Sequence, residues 1–314
     1  MTTRLVADVG GTNTRIALFD PLRTEFRALR NYTNREFNRL EDIIAHWLGH
    51  LSEPKPPVCC IAVAAPPSAD YVSMTNIDWS FSCRQLASRF GFEQLRRLND
   101  FEANAYALPY ITDRDKELLF PGKHEPSGRL ATLGPGTGLG GAFLEWRAGL
   151  PHSFACEPGH MGLTPANQLE LELFSLLLAQ HGNIYAELLV SGPGLVRLQR
   201  ALGEIRGEPV AALDPAEISH RAITGEDDLC VSALEIFCAL LGSVCGDFLL
   251  ATGSYGGLYL AGGIVPEISS FVRNSTFRRR MIEKGAMGET LAGIPVYAIT
   301  SSQPGLLGAA RVPL

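Results

Sequence analysis

Lysine is nearly missing from this sequence: only Lys55, Lys116, Lys123 and Lys284 occur among its 314 residues. A Walker-type P-loop needs the pattern G-x-x-x-x-G-K-[ST], which occurs nowhere in the chain, so that class of phosphate site is excluded. Positive charge as a whole is also in deficit, because the formal net charge is −6. The chain therefore lacks the general electrostatic footprint of a protein that binds nucleic acid or an anionic membrane surface.

Long apolar runs, paired cysteines and an esterase-type motif are lacking as well. The longest apolar helical stretch, 236–246, lies between Glu235 and Asp247 and is shorter than the ~18 residues of a membrane span. The seven cysteines are odd in number and contain no C-x-x-C pair, so we expect reduced thiols and a cytoplasmic protein. The segment SGPG (191–194), which we predict to be a turn, does not match G-x-S-x-G, so acyl hydrolysis has no support.

Glycine, in contrast, is abundant, with 32 residues, and its first cluster lies between two predicted strands. In LVADVGGTNTRIALFD (5–20), apolar residues precede and follow the glycines, which predicts a strand, a glycine turn and a second strand. The residue pattern further predicts a helix over 36–51, a buried strand at 58–65, and a short strand at 95–98 followed by a helix. Strands that alternate with helices indicate an α/β fold.

A second strand, glycine turn and strand, LATLGPGTGLGGAFLEW (130–146), matches the first at an offset of 125 residues. Gly11 falls on Gly136, whereas Asp8 falls on Leu133, so only the first copy carries an acid. We interpret this as an internal repeat, in which two similar halves each offer a glycine turn to one cleft. The alternative is a chance likeness between two short glycine-rich stretches.

The repeat divides the chain into two predicted domains. Charges cluster at 113–117 and a polar loop follows at 121–127, so we place the boundary near residue 110. We predict a smaller α/β domain at 1–110 and a larger one at 111–300. The tail at 301–314 has helical composition and is expected to pack back on the first domain.

The first glycine turn carries Asp8, Thr12, Asn13 and Thr14. A tight glycine turn exposes backbone N–H groups, and these side chains add donors, so the concavity suits phosphate oxygens. Asp8, near the end of the first strand, could hold a magnesium-bound water. The alternative is a type I′ hairpin with an Asp-stabilised turn.

The second turn contains G-x-G-x-x-G at Gly136, Gly138 and Gly141, the pattern of a dinucleotide-binding turn. That fingerprint requires a helix after the turn, whereas AFLEW (142–146) alternates like a strand. We therefore favour a second phosphate-holding hairpin. The alternative, a nicotinamide-dependent oxidoreductase, predicts a helix at 142–150.

Further candidates for chemistry are Asn99-Asp100, Glu157, His160 and Glu187. Asp100 lies between a strand and a helix, so it is either a general base that accepts a hydroxyl proton or a helix N-cap. Glu157 and His160 share a glycine/proline turn and could grip adjacent hydroxyls of a polyol, or simply be exposed; they lack partners at zinc-site spacing. Glu187 is a third acid candidate, with an ordinary surface helix residue as its alternative.

Taken together, these motifs resemble those of the bacterial glucokinases, in the superfamily of hexokinase, actin and the heat-shock chaperones. The resemblance spans nearly the whole chain, from DVGGTN through LNDFEANAYALP, GPGTGLGGAF, EPGHMGL, AELLVSGPGL and LAGGIVPE to QPGLLGAA. It implies two actin-like (ribonuclease H-like) α/β domains around a cleft, with mixed sheets and duplicated glycine-turn hairpins. It also implies ATP-dependent phosphorylation of D-glucose at the 6-hydroxyl, the first step of glycolysis.

The resemblance assigns a role to each matching residue. Asp100 matches the catalytic base, and Asp8 would hold Mg²⁺ through water. The implied sugar ligands are Asn99, Asp100, Glu157, His160 and Glu187. Pro158 stands where the family often has glycine, which stiffens the turn without removing either ligand. The implied ATP-binding residues are Ala7, Asp8, Val9, Gly10, Gly11, Thr12, Asn13, Thr14, Gly136, Thr137, Gly138, Gly262 and Gly263.

Other functions stay open beside a glucokinase. The related ROK group of sugar kinases shares D-x-G-G-T and E-x-G-H, but its zinc-binding segment C-x-C-G-x-x-G-C-x-E is missing downstream of His160. A kinase for another hexose or amino-sugar of that group is the first alternative. A non-catalytic sugar sensor and an NAD-dependent oxidoreductase are less favoured. The expected partners are glucose and ATP, without nucleic acid or membrane, and a homodimer is left open.

Overall fold

The computed structural model describes residues 2–65, 70–74, 77–123, 125 and 127–314. The chain divides into two compact units. Unit 1 comprises Met1–Ile111, Trp146–Ala155 and Ser301–Leu314, and unit 2 comprises Thr112–Glu145 and Cys156–Thr300. The sequence prediction put 146–155 in the larger domain, whereas the structure groups this segment with unit 1. The sequence has no boundary signal there, because the segment begins within a continuous strand.

Unit 1 is built on a five-stranded sheet. Its elements are strands β1 (Arg4–Val9), β2 (Asn13–Asp20) and β3 (Glu25–Thr33), helix α1 (Leu40–Gly49), strands β4 (Val58–Val63), β5 (Tyr71–Ser73) and β6 (Ser80–Ser82), helix α2 (Cys83–Phe90), strand β7 (Gln94–Asn99) and helix α3 (Asp100–Ala107). The strand order is β3-β2-β1-β4-β7. Strands β1, β4 and β7 run parallel, and β2 runs antiparallel to β1. The carboxyl ends of β1, β4 and β7 therefore lie along one edge of the sheet.

The core of unit 1 follows from apolar strands and one amphipathic helix. Every residue of β4 is buried, as its continuous apolar sequence predicts. Helix α1 buries Leu40, Ile43, Ile44 and Trp47, which share one face at helical spacing. The helix begins at Leu40 and not at the predicted residue 36, because Asn34–Glu36 forms a 3₁₀ turn.

The remaining elements belong mainly to unit 2. They are strands β8 (Lys116–Phe120), β9 (Leu130–Pro135), β10 (Leu139–Arg147) and β11 (Leu150–Cys156), helices α4 (Gln168–His181), α5 (Ala186–Leu189), α6 (Gly192–Arg206), α7 (Pro215–Thr224) and α8 (Asp228–Thr252), strand β12 (Gly257–Leu260), helices α9 (Ile264–Glu267), α10 (Ser269–Asn274), α11 (Phe277–Ile282) and α12 (Gly288–Ala292), strand β13 (Val296–Ile299) and helix α13 (Pro304–Arg311). Most of β11 and all of α13 fall in the segments that group with unit 1.

The sheets of the two units repeat one arrangement. Strands β10-β9-β12-β13 of unit 2 follow the same order as β2-β1-β4-β7 of unit 1. Strand β9 is antiparallel to β10 and parallel to β12, and β12 is parallel to β13. The repeat predicted from two glycine turns thus extends to four strands of each sheet. The predicted α/β fold with mixed sheets and duplicated hairpins is confirmed.

Helix α8 is the central apolar helix of unit 2. Its 25 residues would suffice to cross a membrane by length and composition, but 78% of its apolar window is buried inside the protein. Gly242 lets the backbone of α11 approach closely, because a Cβ there would collide with the Phe277 carbonyl. A helix whose apolar residues are mostly buried inside the protein in this way is a core helix. The seven cysteines, all within the described residues, form no disulfide.

The prediction of a turn at 191–194 is wrong, because helix α6 begins at Gly192. Ser191 is its N-cap, and the Ser191 Oγ accepts the N–H of Gly194 at 3.1 Å. Pro193 lies in the first turn of the helix, where its missing N–H has no intrahelical partner to lose. Turn-forming residues can therefore mark a helix start when a serine cap precedes them.

Candidate active site

The first glycine turn joins β1 to β2 in unit 1. The Gly10 N–H donates to the Asn13 carbonyl at 3.0 Å, and the strands pair from Val9 opposite Thr14. None of the four residues 10–13 has a positive φ. A type I′ turn needs positive φ at both central residues, so that alternative is wrong. Thr12, at the tip, is exposed.

Asp8 lies near the end of β1, opposite Arg15 of β2. The Arg15 Nη1 is 3.6 Å from the Asp8 Oδ2. Burial raises the pKa of the Asp8 carboxyl, and the positive charge of Arg15 offsets this in part. The first turn of α13 packs against the carboxylate, since a Cβ at Gly305 would lie 2.9 Å from both its Cγ and its Oδ1. Asp8 is thus placed between a guanidinium and a helix N-terminus, both of which favour an anion.

Asn99 and Asp100 lie where β7 ends and α3 begins. Asn99 is the N-cap: its Oδ1 accepts the N–H groups of Phe101 at 2.9 Å and Glu102 at 3.3 Å. The Asn99 Nδ2 donates to the Ala65 carbonyl at 3.3 Å. The alternative in which Asp100 is the helix cap is therefore wrong. Asp100 is the first helical residue and is half-buried.

Strand register places Asp8 and Asn99 at the same edge of the sheet. Val9 is level with Val63, and Val63 is level with Asn99, in three neighbouring parallel strands. Val9 and Asn99 are thus two strand spacings apart, or about 10 Å. Open α/β sheets bind ligands outside the carboxyl ends of their parallel strands.

Three residues of the predicted ATP-binding set have buried side chains. Ala7, Val9 and Thr14 are at most 1% exposed. These residues offer almost no accessible surface to a nucleotide, and their part in ATP binding stays a prediction.

The second glycine turn joins β9 to β10 in unit 2. The Gly136 N–H donates to the Gly138 carbonyl at 2.8 Å, and the Gly136 carbonyl accepts the Gly192 N–H of α6 at 2.8 Å. Thr137, at the tip, is exposed like Thr12 of the first turn. Residues 139–147 form strand β10, so the oxidoreductase alternative, which needs a helix at 142–150, is wrong.

Gly10 and Gly136 are glycines that neither conformation nor packing requires. Neither has a positive φ. A Cβ at Gly10 would meet only the Asn13 carbonyl oxygen, at 3.4 Å, and a Cβ at Gly136 would meet nothing within 4 Å. Glycine at such positions leaves room for a ligand to approach the backbone closely. Both turns therefore have the open backbone that phosphate binding requires.

Glu187 supports the second turn from α5. Its Oε2 accepts the Leu139 N–H at 2.8 Å. A Cβ at Gly138 would lie 2.5 Å from that same oxygen, which explains why residue 138 is glycine. The alternative of an ordinary surface helix residue is wrong, because the carboxylate is half-buried against the hairpin.

The segment from Glu157 to His160 lies beside the same hairpin. A Cβ at Gly159 would be 2.6 Å from the Leu139 carbonyl oxygen and 3.2 Å from the Glu187 Oε2. Glu157 and His160 themselves are exposed. Unit 2 therefore brings three predicted sugar ligands and the second glycine turn together.

A third glycine turn, which carries the predicted ATP-binding residues Gly262 and Gly263, follows β12. Gly262 has a φ of +84°, and a Cβ there would collide with the Pro135 carbonyl, so both conformation and packing require glycine. A Cβ at Gly263 would meet nothing within 4 Å. The Ala261 N–H donates to the Leu133 carbonyl at 2.9 Å. This turn thus lies directly beside the end of β9 and the second glycine turn.

The described residues favour a metal site with few protein ligands. Among the described residues, no three His, Cys, Asp or Glu side chains come together as a metal-binding group. Mg²⁺ in phosphoryl-transfer enzymes is commonly held by one or two carboxylates and the substrate phosphates, with water in the other positions. Asp8, a single carboxylate 20% exposed at the strand edge, fits that donor set.

Sequence reasoning gave no role to three residues that build these turns. Gly305 adjoins Asp8, Gly192 donates to the second turn, and the buried Asn34 hydrogen-bonds to the first turn. Gly305 lies in QPGLLGAA, one of the motifs that carry the family resemblance, so the sequence could have indicated a role for it. No local pattern marks Asn34.

Comparisons with known proteins agree across the chain. The family model for glucokinase matches residues 5–313. The glucokinase of Saccharophagus degradans is 39% identical over 309 residues, which are 98% of this chain and 96% of that protein. A glucokinase structure from an Antarctic psychrotroph has a TM-score of 0.90 at 36% identity, covering 99% of this chain and 98% of that one.

More distant structures show the fold alone. A ROK family glucokinase from Streptomyces griseus has a TM-score of 0.65 at 20% identity, covering 98% of both chains. The full-length matches confirm the resemblance drawn from the motifs: the chain belongs to the glucokinase family.

Proposed function

We propose that this protein transfers the γ-phosphoryl group of ATP to the 6-hydroxyl of D-glucose, giving glucose 6-phosphate, as the first step of glycolysis in the cytoplasm. The observation that carries the proposal is the duplicated hairpin. Each copy carries an exposed threonine at its tip and a glycine, Gly10 or Gly136, at which an added Cβ would meet no atom closer than 3.4 Å. Membership of the glucokinase family supports the sugar and the reaction.

Each unit would supply its glycine turn to the nucleotide phosphates. Backbone N–H groups and the exposed Thr12 and Thr137 would donate to phosphate oxygens, in place of the lysine that P-loops use. Gly262 and Gly263 would lie along the adenosine. Asp8 would hold Mg²⁺ through water, and that ion, when bound, neutralises charge on the transferred group. The Streptomyces griseus ROK glucokinase is described as a complex with glucose and AMPPNP, which supports ATP as the donor here.

The sugar hydroxyls would be held by Asn99, Glu157, His160 and Glu187. The Asn99 Oδ1 already accepts two N–H groups and one N–H of its amide donates to the Ala65 carbonyl, so the second amide N–H would donate to the sugar. One Glu187 oxygen bonds to Leu139, which leaves the other oxygen for a hydroxyl. A sugar that lacks a matching hydroxyl would leave one of these groups unpaired, at a cost of ~1–3 kcal/mol.

Asp100 would act as the general base. It would accept the proton of the 6-hydroxyl as that oxygen attacks the γ-phosphorus in line. Asn99, and not Asp100, is the N-cap of α3, and Asp100 is the first residue of the helix. A positioned base contributes on the order of 10²–10⁴ in rate, and positioning and charge stabilisation supply most of the remainder.

The test is a matched pair of acid-to-amide variants on the same helix. Asp100→Asn is expected to lower kcat by a factor of about 10² or more while glucose still binds. Glu102→Gln is the control, since glutamine also completes a capping box and the glutamate bonds to the backbone of Asn99. Near-normal turnover in a folded Asp100→Asn protein would remove Asp100 from the mechanism.

The substrate is tested by sugar-dependent ADP release over a panel of hexoses and amino-sugars. Glucose is expected to give the highest kcat/KM. A clear preference for another sugar would favour a different kinase specificity, and sugar binding without ADP release would favour a sensor.

A further inference from the structure

Asn34 is a buried polar residue whose bonds are directed at the first glycine turn. It is 1% exposed and follows directly after strand β3. Its side-chain Nδ2 donates to the Gly10 carbonyl at 2.8 Å, and its backbone N–H donates to the Thr12 carbonyl at 2.8 Å. Its Oδ1 accepts the hydroxyl of Thr14 at 2.7 Å. One residue thus bonds to three members of the turn and its flank.

These bonds fix the direction in which the turn presents its N–H groups. A trans peptide is planar, and its C=O and N–H point to opposite sides. The Gly10 carbonyl points to Asn34, so the Gly11 N–H, which belongs to the same peptide, points away from Asn34. Within the turn, the Gly10 N–H donates to the Asn13 carbonyl at 3.0 Å, so the bonds from Asn34 add to one that the turn makes itself.

We propose that Asn34 is a positioning residue for the ATP phosphates: it holds the Gly10–Asn13 turn with its carbonyls inward and the Gly11 N–H outward, toward the nucleotide. The inference rests on the proposed kinase function, because it names the ligand of the same turn. Asn34 itself touches no substrate. Its effect is on how well the turn is formed before ATP arrives.

Two substitutions of Asn34 test whether the residue acts through its hydrogen bonds or only by filling space. Asn34→Asp has nearly the same shape and still accepts the Thr14 hydroxyl, but an ionised carboxylate cannot donate to the Gly10 carbonyl. Asn34→Ala removes both side-chain bonds. We expect each to raise the KM for MgATP roughly tenfold or more, from the loss of a buried hydrogen bond, while the KM for glucose stays within about twofold.

Ile43→Ala is the matched control for lost stability. Ile43 is fully buried on α1, the next helix after Asn34, and packs in the core of unit 1. This variant is expected to lower the Tm and leave both KM values unchanged. Thr14→Val removes the hydroxyl that donates to Asn34 with little change of shape, and serves if the Asn34 variants fail to fold. It is expected to raise the KM for MgATP in the same direction.

The measurements are Tm, both KM values, kcat, and equilibrium binding of ATP without sugar. An Asn34→Asp protein with wild-type ATP binding and a wild-type KM for MgATP would overturn the inference, as would equal increases in both KM values. A wild-type protein without sugar-dependent ADP release would instead overturn the proposed function. The two failures are thereby distinguished.

Discussion

Two glycines of helix α13 offer a sharp test of how Asp8 is placed. At Gly305, an added Cβ would lie 2.9 Å from the Asp8 Cγ and Oδ1 and 3.0 Å from its Oδ2. Optimal contacts between non-bonded heavy atoms are about 3.5–4.0 Å, so Gly305→Ala must displace the carboxylate by about 0.6 Å or more. The atoms displaced are the end of a side chain, so the backbone can stay in place.

We expect Gly305→Ala to separate activity from stability. Alanine is favoured over glycine in a helix by up to ~1 kcal/mol, which offsets part of the cost of moving Asp8. The free energy of unfolding should therefore change by no more than about 1 kcal/mol. A misplacement of about 1 Å can lower the rate ~10²-fold, so we expect kcat to fall about 10- to 100-fold.

Gly308→Ala is the control in the same helix. Its Cβ would collide with the backbone carbonyl of Ala103 in α3. Backbone cannot swing aside as a carboxylate can, so we expect a loss of at least about 1–3 kcal/mol of stability from overpacking. Urea unfolding and steady-state kinetics on both variants give the comparison.

A double variant identifies the cause of the loss. If Gly305→Ala acts through Asp8, then combining it with Asp8→Ala should lower kcat no further than Asp8→Ala does alone. Additive losses would refute this reasoning. So would a Gly305→Ala protein with normal kcat, or one destabilised as much as Gly308→Ala.

Protonation, buried charge and thiol reactivity give three further tests. Burial raises the pKa of Asp8, and Arg15 offsets this in part; the ionised carboxylate is the form that can hold a metal-bound water. Arg15→Leu removes the offsetting cation, so the acid limb of the pH profile of kcat/KM for MgATP should move to higher pH. An acid limb at the same pH in Arg15→Leu contradicts this role of Asp8. The side chains of Glu170 and Arg280 form an ion pair and are at most 5% exposed, so Glu170→Gln leaves a buried Arg280 charge unpaired. The free energy of unfolding, measured by urea titration, should fall by about 3–5 kcal/mol. A loss below ~1 kcal/mol would show that the ion pair contributes little to stability. Burial and the neighbouring Glu157 carboxylate raise the pKa of the Cys156 thiol, so iodoacetamide should inactivate the protein slowly at neutral pH and faster in alkali. Glucose should slow this inactivation. Rapid inactivation at neutral pH that glucose does not slow would contradict both the raised pKa and the protection by glucose.

The hairpins and the repeat could be predicted from the sequence because their signals are local. Apolar strands flank a glycine turn twice, and the two copies match at a fixed offset. Residues 142–146 alternate, so a strand rather than a helix could be expected after Gly141, and the structure has one. The family too could be read from motif order along the chain.

The helix starts were predicted less well, because several residues compete for each cap. Asn99 and Asp100 are both good N-cap residues, and only the structure shows, by backbone dihedral angles and hydrogen bonds, that Asn99 holds the position. SGPG has the composition of a turn, yet Ser191 caps a helix of 15 residues. Local composition therefore indicates roughly where a helix begins, but not at which residue.

The sequence by itself determined the two glycine hairpins, the alternation of strands and helices, and the family, since each depends on residues close together in the chain. Only the tertiary structure decided what supports the hairpins. Glu187 meets Leu139 across 48 residues, Asn34 meets Gly10 across 24, and Gly305 meets Asp8 from the opposite end of the chain. Such contacts depend on strand register and helix packing, which bring together residues that carry no local sign of one another.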